Sequence, residues 1–365
     1  MNEKSEKVLE QYDISINRVV RGRGGLILGT DKGCKLFLPC GKSDKFYERE
    51  DRITRALKER GFINTDTYMR NLEGGLISED IDGRKYVLKD WFDARESDVK
   101  SLEDMSEALR TMASMHKVLK EIGPQLKQQE NKGGAATESK AESESQENAG
   151  NADATLRPEL AACGSAGQTG LRDTYERHTR ELKKAYNYLR TKKGKQHFEQ
   201  MAYKNIEGFY QEASQAVTLL NNPELDERLL KAVSDNELCH GSFNYHNVFL
   251  DNKTSYVTNF DRCRNECQVW DLYQFIRKVM EKHDWESSVF YRLVDEYDRV
   301  SSICENDFYI LVVLLSYPEK FWKIINQYLN ANKSWIPDKN VDKLQKVIWQ
   351  NQRRRELIDK ICCIW

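Results

Sequence analysis

The segment Cys239-His-Gly-Ser-Phe-Asn-Tyr-His-Asn247 is followed eleven residues later by Thr258-Asn-Phe-Asp-Arg262. Between them, the apolar runs Asn247-Val-Phe-Leu250 and Ser255-Tyr-Val-Thr-Asn-Phe260 flank the polar turn Asp251-Asn-Lys253. Short apolar runs around a polar turn predict a β-hairpin. Side chains that can bind metal or move protons therefore lie at both ends of one predicted hairpin.

The spacing of these polar residues follows the template of kinases. In that template a loop histidine precedes the catalytic aspartate by two positions, and a metal-binding asparagine follows five positions later. His240 and Asn247 fit the spacing, but the aspartate position is Ser242. The second strand should end in a metal-binding aspartate, and the residue there is Asn259. Because side chains alternate along a strand, Asn259 and Asp261 can project to the same face, and Asp261 could partly replace the missing carboxylate.

The first part of the chain, residues 1–92, alternates between short apolar runs and glycine-containing turns, which predicts a small sheet. One helix, opened by Ser43 and closed by Gly61, interrupts the strands. The predicted strands cover Ile16–Val20, Leu26–Gly29, Lys35–Cys40, either Thr67–Arg70 or Gly75–Ile77, and the region around Arg84–Leu88. The order β-β-β-α-β-β indicates an antiparallel sheet lobe with one helix.

The remainder of the chain has mainly helical periodicity. Residues 93–123 predict the first helix of a second lobe, which Gly123-Pro124 should end. Residues 124–170 contain almost no large apolar side chains, and we expect a disordered insertion that carries no chemistry. Residues 171–365 should form the rest of a helical lobe that contains the hairpin. The prediction is an α+β, two-lobed, protein-kinase-like fold.

Composition excludes several classes of protein. With 57 basic and 58 acidic residues the formal net charge is −1, so no overall field favours nucleic acid or an anionic membrane. Nine scattered cysteines without paired CxxC spacing argue against a disulfide framework and a zinc site. The polar N-terminus lacks the apolar core of a signal peptide, and no apolar run is long enough to span a bilayer.

Several motifs together resemble the CotS family of spore-coat proteins, within the aminoglycoside-phosphotransferase-like and choline-kinase-like proteins. The resemblance covers nearly the whole chain outside residues 124–170, and it is specific because the motifs occur in the same order and spacing. The motifs are His240–Asn247, Asn259–Arg264, Trp270–Arg277, Arg21–Gly25, Lys89-Asp-Trp-Phe92 and Ser316–Trp322.

The resemblance implies roles for the residues around the hairpin. Ser242 occupies the position of the catalytic base, where active relatives have aspartate, and His240 belongs to the same motif. Asn247 matches the metal-binding asparagine. Asn259 and Asp261 match the first and second aspartates of the family's Asp-Phe-Asp motif. Metal binding is therefore expected at Asn247, Asn259 and Asp261, with one carboxylate fewer than the family pattern.

The nucleotide-binding residues come from the sheet lobe. Either Lys35 or Leu38 occupies the position of the lysine that contacts phosphates, and the odd spacing means that only one of them faces the nucleotide. The helix glutamate that pairs with a strand lysine is Glu48 or Glu50, and Glu50 is preferred because it shares the inward side of the helix. Lys89, in a family-like motif, is a further candidate.

Gly22 and Gly24, in the turn between the first two strands, could contact nucleotide phosphates or only allow a tight hairpin. The cofactors that the resemblance implies are ATP and Mg²⁺. No residue pattern in the chain indicates any other cofactor.

The expected function is a spore-coat-associated, pseudokinase-like protein with impaired catalysis and a structural or assembly role in sporulation. Its expected partners are other spore-coat proteins, and its expected location is the mother-cell cytoplasm and then the coat; both expectations rest on the resemblance. Two alternatives remain. One is an ATP- and Mg²⁺-dependent small-molecule phosphotransferase, and the other is a nucleotide-binding module without turnover.

Overall fold

A computed structural model describes residues 3–134, 170–251, 254–331 and 338–363. The chain forms two compact units. The first contains the chain up to Leu126, then Glu224–Leu315, and the chain from Gln350; the second contains Lys127–Pro223 and Ser316–Trp349. The sheet and the predicted hairpin both belong to the first unit.

Six strands of the first unit form an antiparallel sheet: β1 (Ile16–Gly22), β2 (Gly25–Thr30), β3 (Gly33–Pro39), β4 (Tyr68–Met69), β5 (Ser78–Glu79) and β6 (Lys85–Asp90). Their order in the sheet is β1-β2-β3-β6-β4, with β5 beside β6. Helix α2 (Asp44–Glu59) lies between β3 and β4 in the chain, as predicted, but three strands follow it where two were predicted. Of the two alternative positions for the fourth strand, Thr67–Arg70 contains β4, and β5 begins just after the other, Gly75–Ile77.

Each face of the sheet is covered by a different helix, because side chains alternate along a strand. On one face, Phe37 and Leu88 pack against the N-terminal helix α1 (Glu3–Leu9). On the other face, Leu38 and Val87 pack with Tyr47 of α2. Residues of β3 and β6 with the parity of Leu38 and Val87 therefore face α2.

The rest of the first unit is mainly helical and includes two small sheets. Strands β9 (Val248–Asp251) and β10 (Thr254–Val257) form the predicted hairpin, with β7 (Arg95–Glu96) beside β9. A second pair joins β8 (Leu238–Cys239) to β11 (Arg264–Asn265). The helices are α3 (Leu102–Gly134), α6 (Pro223–Ser234), α7 (Val269–Met280), α8 (Ser287–Asp298), α9 (Glu305–Ser316) and α11 (Asp338–Cys362). Helices α3 and α11 contribute residues to both units.

The prediction that Gly123-Pro124 ends the first long helix is wrong, because α3 continues to Gly134 with Pro124 inside it. Gly123 is a packing position rather than a stop. A Cβ at residue 123 would lie 2.1 Å from the backbone oxygen of Asn236, and the Asn236 side chain donates a hydrogen bond to the Gly123 carbonyl at 2.5 Å. The first residues of the predicted insertion are thus helical, and residues 135–169 lie outside the described residues.

The second unit packs three described helices, α4 (Leu171–Thr191), α5 (His197–Leu220) and α10 (Glu319–Asn330). Phe209 of α5 stacks on Phe321 of α10 with ring centroids 3.8 Å apart. The Tyr175 hydroxyl of α4 donates to a Glu319 carboxylate oxygen at 3.0 Å. Aromatic residues of all three helices therefore contribute to the packing of this unit.

Membrane-spanning helices and disulfides can be looked for among the described residues. Within them, no helix is long and apolar enough to cross a membrane. The cysteines among them, all but Cys163 of the nine, are free thiols.

Candidate functional site

The loop after β8 is held in place by Asp271 of α7. Its carboxylate accepts hydrogen bonds from the backbone N–H groups of His240 (2.6 Å) and Gly241 (2.9 Å), and it lies 3.2 Å from His116 Nε2. Burial alone would raise the pKa of Asp271, but these partners lower it below its ordinary value. Asp271 therefore fixes the loop as a buried carboxylate.

His240 links the two ends of the hairpin. Its Nε2 lies 3.1 Å from the carbonyl oxygen of Thr258, so Nε2 carries the proton and donates. Its Nδ1 then accepts from the backbone N–H of Ser242 at 3.2 Å. Because the side chain is fully buried, burial lowers the pKa of His240. A neutral imidazole with both nitrogens engaged braces the loop.

Ser242 stands where the kinase template needs a carboxylate, in a loop that otherwise has the expected structure. The Ser242 carbonyl oxygen accepts from the side-chain amides of Asn244 (2.7 Å) and Asn247 (2.9 Å). This hydrogen bond fixes the orientation of the Asn247 side-chain amide. The amide oxygen, which is the atom that would bind a metal, takes no part in the bond. The loop is thus held by hydrogen bonds to its backbone, and the side chain at position 242 has no carboxyl group.

The strand argument for Asn259 and Asp261 is wrong, because β10 already ends at Val257. Asn259 has left-handed backbone angles (φ 71°, ψ 57°), a conformation that asparagine tolerates better than most residues. Asp261 follows in a short 3₁₀ turn, Phe260–Arg262, with its side chain about 31% exposed. Alternation along a strand therefore gives no reason to place these two side chains together.

Lys89, Glu50 and Asp66 form a group of buried charged residues at the face of the sheet that α2 covers. Lys89 Nζ lies 2.5 Å from Glu50 Oε1 and 3.0 Å from Asp66 Oδ2. All three residues are at least 95% buried, and the Tyr68 hydroxyl donates to the second Glu50 oxygen at 2.8 Å. We call Lys89, Glu50 and Asp66 the buried triad. It provides the lysine–glutamate pair of the kinase template, but the lysine comes from β6.

The charged groups of the buried triad shift one another's pKa. Burial alone would lower the pKa of Lys89, but the carboxylates of Asp66 and Glu50 raise it well above its ordinary value. Burial raises the pKa of Asp66 to about 6; Lys89 lowers it and Glu50 adds to the rise. The triad therefore places two carboxyl groups against one lysine.

Lys35 lies on the other face of the sheet from the buried triad. Leu36 is opposite Lys89 and Leu38 is opposite Val87, so both leucines of β3 face α2. Lys35 instead bonds to Asp90 at 2.7 Å. The expected partner of Glu50 is therefore Lys89 and not Lys35, while nucleotide contact by either lysine stays a prediction.

The glycine-containing turn is a tight hairpin. Gly22 is opposite Gly25, and the two turn residues Arg23 and Gly24 both have positive φ, 54° and 80°. Positive φ at both central positions is typical of the turns that join twisted antiparallel strands. This geometry supports the hairpin interpretation, and a phosphate contact by Gly22 or Gly24 stays a prediction.

Arg23, at the tip of this hairpin, contacts residues at the start of the β9–β10 hairpin. Its guanidinium donates to the His246 carbonyl oxygen at 3.1 Å, pairs with the Glu96 carboxylate, and lies 4.6 Å from the centre of the Phe249 ring. Glu96 also pairs with the His246 side chain. The tip of the hairpin is thus attached to the residue that precedes Asn247.

The donors at the predicted metal position are weaker than in the kinase template. Asn247, Asn259 and Asp261 include one carboxylate, and the described part of the chain has no cluster of three histidine, cysteine, aspartate or glutamate residues suited to a metal ion. A further carboxylate is nearby, because the Asn259 backbone N–H points to Asp66 Oδ2 at 3.5 Å. The other oxygen, Asp66 Oδ1, is buried without a hydrogen-bond partner. Such an acceptor fits a cation.

Asp66 was missed by the sequence interpretation. It lies in a short polar segment between α2 and β4, and one sequence offers no signal that separates it from an ordinary loop aspartate. The segment reaches the hairpin by tertiary pairing, since the Val257 N–H donates to the Asn64 carbonyl oxygen at 2.9 Å and Thr65 forms a parallel bridge with Val257.

Solved structures of small-molecule kinases share this fold. An aminoglycoside phosphotransferase from Alicyclobacillus acidocaldarius superposes with a TM-score of 0.77 at 14% identity, covering 97% of this chain and 94% of the other. Spectinomycin phosphotransferase bound to ADP and spectinomycin gives 0.57 at 13% identity, covering 96% and 95%. A microcompartment-associated aminopropanol kinase gives 0.55 at 12% identity, covering 98% and 97%.

These likenesses establish the kinase-like α+β fold and no more, because the identities are low. The sequence matches no known family profile, and no curated protein matches it significantly.

Proposed function

We propose that this protein is a catalytically impaired member of the kinase-like fold that works by binding and assembly, as part of a spore coat. The observation that carries the proposal is Ser242. It lies in a loop whose supports, Asp271 and His240, are intact, yet it replaces the carboxylate that should accept the proton. The scaffold of the reaction is present without its base.

The size of the expected defect follows from the chemistry. A positioned general base contributes roughly 10²- to 10⁴-fold to rate. A serine hydroxyl is too weakly basic at neutral pH to take that role. The neutral Asn259 also weakens magnesium binding, because magnesium prefers carboxylate oxygens. We therefore expect phosphoryl transfer to be very slow or absent.

Retained nucleotide binding is the second part of the proposal, with ATP and Mg²⁺ as the ligands. It is supported by the buried Lys89–Glu50 pair, by the oriented Asn247 amide, and by similarity to a kinase solved with ADP. The lysine–glutamate pair is required for nucleotide positioning in protein kinases. A protein with these parts but without a base would bind nucleotide and release it unchanged.

The test is phosphoryl transfer from ATP·Mg²⁺, with ADP release as a readout that needs no known substrate. Amino alcohols and aminoglycosides serve as candidate acceptors. We expect the wild type to stay at background and a Ser242→Asp, Asn259→Asp variant to exceed it. The matched control is Ser242→Asn, because asparagine is equal in size to aspartate but has no carboxylate. Wild-type turnover at roughly 1–100 s⁻¹, typical of kinases, would overturn the proposal.

The assembly role and the coat location rest on the motif resemblance, with other coat proteins as the proposed partners. A fluorescent fusion observed through sporulation tests them. The expected signal starts in the mother cell and moves to the spore surface. A signal that stays in the mother-cell cytoplasm after the coat has formed would contradict the location.

One alternative is favoured by a specific observation. Asp66 restores a carboxylate beside Asn259, so the site could still be a small-molecule phosphotransferase with an unrecognised base. In that case wild type should transfer phosphate to at least one acceptor, and Lys89→Met should abolish the transfer.

A further inference from the structure

The buried triad contains two carboxyl groups and only one lysine. Glu50 alone would neutralise Lys89, and the two are already paired at 2.5 Å. Asp66 adds a second negative charge that is 98% buried. Uncompensated charge in a protein interior is costly unless a counter-ion or further hydrogen bonds offset it.

The two oxygens of Asp66 have different surroundings. Oδ2 accepts from Lys89 at 3.0 Å and from the Asn259 backbone N–H at 3.5 Å. Oδ1 is buried and has no hydrogen-bond partner. A carboxylate oxygen has only acceptor capacity, so this position can be satisfied by a donor or by a cation.

The position of Asp66 in the fold indicates which kind of partner Oδ1 has. In kinases the lysine–glutamate pair lies near the aspartate that binds magnesium at the end of the hairpin. Here the residue at that chain position is the neutral Asn259, and the carboxylate beside its backbone comes from the segment between α2 and β4. The lysine is also displaced, from β3 to β6. The same set of charges is assembled from different elements.

We infer that Asp66 is a divalent-cation ligand, and that its Oδ1 supplies the carboxylate that Asn259 lacks. The cation is of the magnesium or manganese class, which carboxylate oxygens suit. Lys89 holds Oδ2 and leaves Oδ1 for the metal. This inference adds a metal ligand to the proposed nucleotide site. It rests on the proposed function only for the identity of the metal.

The experiment counts Mn²⁺ bound to the full-length protein by electron paramagnetic resonance, with Mn²⁺ alone as the probe. Wild type is compared with Asp66→Asn, which keeps the shape of the side chain and removes its charge. The Asp66→Asn, Asn259→Asp double variant moves the carboxylate back to the end of the hairpin. Asp51→Asn is the matched control, since Asp51 is a buried carboxylate held by Arg55 and Arg70, each at 2.8 Å.

We expect one Mn²⁺ per wild-type chain, affinity at least about tenfold weaker in Asp66→Asn, and recovery in the double variant. Asp51→Asn should bind as wild type does. Two results would overturn the inference. One is a folded wild type that takes up no Mn²⁺ at millimolar concentration, which needs no variant to fold. The other is an Asp66→Asn variant that binds Mn²⁺ as tightly as wild type.

A second readout separates this inference from the proposed function. Thermal stabilisation by ADP is measured with EDTA and then with Mn²⁺. If ADP stabilises the protein in EDTA and Mn²⁺ adds nothing, the nucleotide site stands and the Asp66 ligand fails. If Mn²⁺ binds through Asp66 and ADP never stabilises, the metal site stands and the nucleotide part of the proposed function fails.

Discussion

Within the first unit, the sheet side and the loop side of the candidate site differ in what they keep. The sheet side, the buried triad, joins one lysine and two carboxyl groups that come from β6, from α2 and from the segment between α2 and β4. The loop side, residues 240–247 with Asp271, is held by hydrogen bonds from Asp271 and His240 and has no carboxyl group at Ser242. The first side depends on buried charges, and the second depends on hydrogen bonds to the backbone.

The comparison indicates that different interactions hold the two sides in place. A buried ion pair is held in place by the cost of breaking it, so a charge can move only if a neighbour takes over. The side chain at position 242 has no such restraint, because the loop is fixed by Asp271, His240 and the backbone of Ser242 and not by the Ser242 side chain. Stability should therefore respond to changes on both sides, whereas the side chain at position 242 should affect catalysis and not stability.

The largest effect on stability is expected from Lys89→Met. It leaves Glu50 and Asp66 buried without a cation and should lower the free energy of unfolding by about 3–5 kcal/mol, measured by urea denaturation. Lys35→Met is the matched control on the opposite face. Its partner Asp90 is 34% exposed, and we expect a loss of about 1 kcal/mol. Equal losses would mean that the triad is not a special cluster.

A somewhat smaller loss is expected from Asp271→Asn. The amide can accept from one of the backbone N–H groups of His240 and Gly241 but presents a donor to the other. We expect a loss of about 2–3 kcal/mol in thermal or urea unfolding. A cost below that of Lys35→Met would show that Asp271 does not hold the loop.

The loop side should also respond to pH through His240. Its pKa is lowered from 6.5 by burial, helped by His116 and opposed by Asp271, the Thr258 carbonyl and Glu50. The unfolded chain takes up a proton near pH 6.5 that the folded protein does not, so stability falls as pH drops below 6.5. His240→Gln should be less stable at pH 7 and lose less stability between pH 7 and pH 5. Parallel curves for the two proteins would contradict this.

The smallest effect is expected from Arg23→Gln, which detaches the hairpin tip from Glu96 and His246. These side chains are partly exposed, at 31% for Arg23 and 37% for Glu96, so the loss should be about 0–1 kcal/mol. Hydrogen exchange of the β1–β2 hairpin should nevertheless increase. Unchanged exchange would mean that Arg23 does not hold the tip.

Local sequence patterns predicted most of the fold. The alternation in β1–β3, the helix from Ser43 to Gly61 and the hairpin around Asp251 depend on turn residues and periodicity, which act over a few positions. The stop predicted at Gly123-Pro124 was wrong, because α3 continues through Pro124. Gly123 instead packs against Asn236, a contact between residues distant in sequence that local patterns do not reveal.

The candidate site also contains some residues that could be predicted from the sequence and others that could not. His240, Ser242 and Asn247 could be located from the sequence, because their spacing within one loop is fixed by the loop itself. Lys89 was named from a motif, but its pairing with Glu50 depends on strand register. Asp66 could not be found, since it approaches Asn259 only through the folding of residues 64–67 against β10.

The most direct test of the account measures ATP·Mg²⁺ binding by calorimetry and phosphoryl transfer in one wild-type preparation. The account predicts that nucleotide binds, that transfer is lower by about 10²- to 10⁴-fold than in an active kinase, and that Ser242→Asp, Asn259→Asp raises transfer without tightening ATP binding in proportion. Transfer by wild type at ordinary kinase rates would contradict it, as would a folded protein that binds no nucleotide.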